Sequence, residues 1–88
     1  MKVVQNPELT LHELEGECVL HSPEHKKVHV LNHSARFIWN QCTAPVTPDE
    51  IARRLQEQYG IDAETARTDT LKTVDILLDR SILTRVEE

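Results

Sequence analysis

At Asn32 the chain changes its period, and that change restricts it to folds in which a small sheet comes first and helices follow. Across residues 9 to 31, Val and Leu recur at short spacing and are punctuated by Glu15-Gly16 and Pro23. This predicts three short strands, Leu9–Leu14, Glu17–His21 and Lys26–Leu31. The last alternates with a period of two, Val28 and Val30 on one face and Lys27, His29 and Leu31 on the other, as a half-buried strand does. From Asn32, a good N-cap, Ala35, Ile38, Trp39 and Cys42 follow at spacings of three and four, which predicts a helix. Thr43-Ala44-Pro45-Val46 breaks it. Thr47-Pro48-Asp49-Glu50 then restarts helical structure, with Thr47 as cap, Pro48 suited to the first helical position and Glu50 placed to complete a capping box. That helix runs to about Tyr59, Gly60 closes it in a left-handed conformation, and a third helix extends from Asp62 to about Arg80. The stretch Ile82-Leu83-Thr84-Arg85-Val86 is apolar enough to pack back as a strand or a cap. Residues 1–7 and the last two glutamates are expected to lack fixed structure. The expected fold is α+β, a three-stranded antiparallel sheet followed by three helices packed on one face, as in a winged helix-turn-helix.

The chain has 88 residues. A chain this short closes one modest core, so the expectation is a single domain over 1–88 with an ordered core of about 8–86. Only Phe37, Trp39 and Tyr59 supply aromatic bulk, so the core must be mainly aliphatic. No apolar run approaches the roughly 18 residues that span a bilayer, and the first residues lack the apolar stretch of a secretory signal. A cytoplasmic protein with no membrane partner is expected. Cys18 and Cys42 form no Cys-x-x-Cys pair, and both are expected to be reduced, partly buried thiols. The formal charge of −5 repels polyanions at long range.

Several constellations deserve weighing as chemistry. His21, His25, His29 and His33 are spaced by four, which on one helix would make a metal-binding stripe. Pro23 and the alternation of Val28 and Val30 argue against that helix, so the imidazoles are expected on a hairpin and a helix start, and no metal is expected. Cys18 and Cys42 fall on apolar faces, where free cysteines act as small core residues. Gly16 and Gly60 are the chain's only glycines, so there is no glycine-rich phosphate loop. No catalytic residue and no cofactor are expected. DNA binding is the alternative that the topology suggests, yet the third helix carries Asp62, Glu64, Asp69, Asp75 and Asp79 against Arg67, Lys72 and Arg80. Neutralising phosphates needs a basic face, and this one is net negative.

The third helix also presents a surface. At 100° per residue, Ala66, Thr70, Leu71, Val74, Leu77 and Leu78 gather on one wide face, the expected core side. Ile76 falls elsewhere, near Asp69, Lys72, Thr73 and Arg80. It is either a lone exposed aliphatic or the wall of a groove in which an extended peptide could lie.

Pro23-Glu24, Val28-His29-Val30-Leu31-Asn32, Ala35 and Ile38-Trp39 resemble the hallmark stretch of the PqqD family, named for coenzyme PQQ synthesis protein D. Val46-Thr47, Glu50-Ile51, Leu55, Tyr59, Asp69, Leu77 and Ile82-Leu83 continue the resemblance, which covers residues 9 to 84. Two positions depart from the pattern: His25 stands where glycine is frequent, and Thr70 where an aliphatic usually follows the aspartate. Members are recognition elements for ribosomally made, later modified peptides. The resemblance therefore implies a non-catalytic module that binds the leader segment of a precursor peptide and presents it to a modifying enzyme, often a radical SAM enzyme. It implies that the leader adds as a strand beside Lys27, Val28, His29, Val30 and Leu31, against Asp69, Lys72, Thr73, Ile76 and Arg80 of the third helix. An unpaired strand edge also leaves homodimerisation open.

Overall fold

The computed structural model describes residues 1–24 and 26–86. His25, one of the four spaced histidines, and the closing Glu87 and Glu88 lie outside the described residues. The chain runs β1 (Lys2–Gln5), β2 (Thr10–Leu14), β3 (Glu17–Ser22), β4 (Lys27–Leu31), α1 (His33–Asn40), α2 (Pro48–Tyr59), α3 (Ala63–Asp79) and β5 (Leu83–Val86).

The three expected strands form one antiparallel sheet in the order β2-β3-β4. Glu15 and Gly16 both adopt positive φ, 51° and 82°, making the two-residue turn whose twist matches a hairpin and fixing Leu14 opposite Glu17. Each helix starts where its cap dictates. The Asn32 side chain accepts the Ala35 N–H at 2.8 Å, Thr47 Oγ accepts that of Glu50 at 3.2 Å, and Asp62 accepts that of Thr65 at 3.0 Å. Gly60 ends α2 at φ 64°, a conformation that costs any residue with a Cβ, and donates its N–H to the Gln56 carbonyl. The Glu50 carboxylate does not serve the capping box expected from sequence; it turns to Arg53 and Arg54 one turn along α2.

The N-terminus differs from the expectation of an unstructured segment up to residue 7. Lys2–Gln5 pairs antiparallel with β5 in a separate two-stranded sheet, Val3 opposite Arg85 and Val4 opposite Thr84. Val3 also exchanges backbone hydrogen bonds with Val46, and its side chain is completely buried. The ordered body thus starts near residue 2, and the C-terminal tail takes the strand option because β1 supplies its partner.

One core joins both sheets and all three helices: Val3, Cys18, Leu20, Leu31, Ile38, Trp39, Cys42, Ile51, Val74, Leu77, Ile82 and Leu83 pack together. Ala52, Leu55 and Ala66 form a smaller cluster where α2 meets α3, and Phe37 touches both. Two assignments of faces need correction. Leu71 is exposed and Leu78 only half-buried, because Ala66, Thr70, Val74 and Leu77 alone make a stripe narrow enough to fill the core side of α3. On β4 the valines point to solvent, with Val28 61% and Val30 60% exposed, while Leu31 is buried opposite Cys18. The period of two holds, and the inward set is Lys27, His29 and Leu31, since the buried residues of β3 (Cys18, Leu20, Ser22) sit opposite them.

Candidate functional site

β4 is the outer strand of its sheet, so beyond its pairing with β3 it has no strand partner among the described residues. The free edge borders α3. Val74 and Leu77 hold that helix to the core, which turns Thr73, Ile76 and Arg80 toward the strand. The result is a groove of about 280 Å³ whose walls include His29, Val30 and Leu31 on one side and Thr73, Ile76 and Arg80 on the other. Its floor is apolar, from Ala35, Leu77 and Ile82, and Ile76 stands on its rim 44% exposed.

The groove continues at both ends. Toward the start of β4 it opens into a recess of about 390 Å³ bounded by Asn6, Leu9, Ser22, Lys27, His29, Asp79, Arg80 and Ser81, so that His29 and Arg80 line both spaces. Past α1 it meets a recess of about 320 Å³ formed by Ser34, Ile38, Leu55, Tyr59, Ile61, Asp69, Lys72 and Thr73, sharing Ser34 and Thr73. Arg80 caps α3 eleven positions after Asp69, about 16 Å of rise, which is the length of about five residues of extended strand.

Of the residues selected from sequence, the structure therefore brings His29, Val30, Leu31, Thr73, Ile76 and Arg80 to the central groove. Lys27 lies at one end, and Asp69 and Lys72 at the other. Val28 faces away, and only its backbone belongs to the edge. Sequence reading missed Tyr59 and Ile61. The sequence signal for Tyr59 is an aromatic residue immediately before the Gly60 stop; in the structure it is half exposed and edge-on to Phe37 with ring centres 5.6 Å apart.

The electrostatics divide along the groove. His29 titrates below its ordinary value because it is partly buried and because Arg80 and Lys27 stand near it. Neither cation has a carboxylate partner among the described ion pairs, whereas Arg36 is tied to Glu13, and Arg53 and Arg54 to Glu50. The remaining candidate chemistry does not assemble. Cys18 and Cys42 are buried, and burial pushes the Cys42 thiol up to about 11, far from a reactive thiolate. His21 and His29 belong to opposite faces of the sheet, His33 to α1, and no cluster of three metal-ligating side chains occurs among the described residues. No helix among them is long and apolar enough to cross a membrane.

The family model described as coenzyme PQQ synthesis protein D matches residues 17–83. The chain belongs to the PqqD family. Solved structures agree with it in fold. "Lasso peptide synthetase B1 complexed with the leader peptide" superposes with a TM-score of 0.81 at 19% identity, covering 97% of this chain and 100% of that one. TbiB1 in complex with the TbiA(beta) leader peptide gives 0.81 at 18% identity, with 97% and 99% covered. The PqqD portion of PqqCD from Methylobacterium extorquens, described as a functional, stand-alone recognition element for ribosomally synthesised and modified peptides, gives 0.76 at 22% identity, with 96% and 89% covered. A search of curated proteins found no match. The α+β, winged-helix-like architecture read from the sequence is thus the architecture of this PqqD-family chain and of these neighbours.

Proposed function

We propose that this PqqD-family protein is a peptide-recognition module: it binds the leader segment of a ribosomally made precursor by strand addition at β4 and carries it to a modifying enzyme, without making or breaking bonds itself. One observation carries the reading, namely a strand edge with no partner among the described residues, lying beside a groove with an apolar floor. Unpaired amides and carbonyls on an edge supply affinity for any extended backbone, and the pockets beside it choose among side chains. The solved neighbours that are described as complexes with leader peptides support this reading. Lys27 to Leu31 would provide the pairing backbone, Ile76 the apolar contact, and Asp69, Lys72, Thr73 and Arg80 the polar wall. A radical SAM enzyme is the partner class that the family suggests, and the cytoplasm the compartment where precursor and enzyme would meet.

The acidic exposed side of α3 disfavours the DNA-binding alternative, because a duplex would meet Glu64, Asp69 and Asp75 before it met enough cations. The test is an amide-shift titration of labelled protein with a synthetic leader from a precursor encoded next to it. Shifts should concentrate in residues 27–31 and 69–80. Shifts confined to α2 or to the β1-β5 sheet would overturn the assignment.

A further inference from the structure

The end of the groove at Lys27, His29 and Arg80 bears charges that strand addition alone does not use. From the geometry we propose, on the basis of the peptide-recognition reading above, that this end is a carboxylate subsite. It takes an acidic side chain of the bound strand, with His29 as the member that gains a proton when the acid arrives.

Alternation sets what the subsite can read. Side chains of an added strand that point inward lie level with Lys27, His29 and Leu31, the inward set of β4. The first two levels are basic or ionisable and border the recess that Arg80 closes from α3. The third borders Ile76 and Leu77. An acidic residue and an apolar anchor two or four positions apart would therefore fill both, whereas an odd spacing would send one of them to the solvent side.

The groups around His29 give the direction of the coupling. Among the described residues, from β4 it faces Lys27; from α3 it faces Arg80 and, across the recess, Asp79; β3 and the Asn6–Leu9 segment contribute the uncharged Leu20, Ser22, Asn6 and Leu9 to its surroundings. Partial burial and the two cations disfavour the imidazolium in the free protein. A carboxylate seated beside it offsets the cations and favours the imidazolium. Binding of an acidic strand then takes up a proton, and its affinity rises as pH falls. An imidazole shift of one unit corresponds to about tenfold in affinity.

Four capped heptapeptides test this. In two, threonine alternates with inward glutamate, leucine and leucine, the glutamate near either end because strand direction is open; the other two carry glutamine instead. Titrations followed by amide shifts at pH 8 and at pH 5.5 should show one glutamate peptide binding about threefold tighter than its glutamine twin at pH 8, with the gap widening several-fold at pH 5.5. His29→Asn should abolish the widening and keep the gap, while Lys27→Gln with Arg80→Gln should remove the gap at pH 8. Equal affinities of each glutamate and glutamine pair at both pH values, with shifts still at residues 27–31 and 69–80, would overturn the carboxylate subsite and leave peptide recognition standing. Absence of shifts there with all four peptides at millimolar concentration would overturn strand addition itself, and the subsite with it.

Discussion

Thr70 is fully buried on the core side of α3, and its hydroxyl has no hydrogen-bond partner among the described residues. A buried hydroxyl left unpaired costs about 1–3 kcal/mol relative to a shape-matched apolar group. Thr70→Val keeps the shape and removes the polar atom, so it should stabilise the protein by about 1 kcal/mol, read as a rise in melting temperature of about 4–8 °C. Ile76 behaves oppositely. It is large, apolar and exposed beside the groove, so its substitution by Lys should leave the melting temperature nearly unchanged, within about 0.5 kcal/mol. The same change should weaken leader binding by about tenfold, the scale of a central apolar contact, as measured by calorimetric or fluorescence titration. A large fall in stability would place Ile76 in the core instead. Both residues were conspicuous in the sequence, Thr70 as a polar residue on an apolar stripe and Ile76 as an apolar residue off it. The outward Val28 and Val30 were not legible in the same way: alternation identifies two faces, but only the strand opposite decides which one is buried.

Among the elements, α2 is defined most locally. Thr47, Pro48 and Gly60 mark its ends, and the structure places those ends where these residues require. Glu50 shows what local reasoning omits, because its carboxylate had two competing uses and the arginines at i+3 and i+4 won. Hydrogen bonds from Arg53, at 2.5 and 3.0 Å, hold the Glu50 carboxyl down to about 2 against an ordinary 4.5, with a further contribution from Arg54. The folded-state value is depressed, so the stabilisation is present above the ordinary value and disappears as pH falls through about 2. Glu50 should therefore stay ionised at pH 3 in a carboxyl carbon NMR titration. Glu50→Gln should flatten the loss of α2 helicity between pH 4.5 and 2, measured by circular dichroism. Arg53 is exposed and Glu50 and Arg54 are partly so, and the effect should fade in high salt. The β4 edge and the α3 flank were each legible as elements; that they border the same groove follows from Leu31, Val74 and Leu77 sharing one core.

For the whole molecule, the long-range closure of β1 on β5 was the least legible part. Lys2-Val3-Val4-Gln5 contains two apolar residues, no turn signal before it and Pro7 soon after, and its partner lies at the other end of the chain. Nothing within a short window specifies that pairing, because its stability comes from Val3 entering a core built by distant elements. Val3→Ala should accordingly cost about 2 kcal/mol, from two lost methyl groups and the space they leave, and should lower the denaturant midpoint of the entire protein in one transition. A separate early transition confined to β1 would show that the N-terminal strand is an appendage. The same pairing has a bearing on how such a module travels between proteins. Lys2 sits opposite Val86, so the strands that lead into and out of the body run side by side, in a sheet separate from the one that carries β4. A unit whose entrance and exit share one doorway can be spliced onto or into a larger polypeptide at that point with the β4 edge left unpaired.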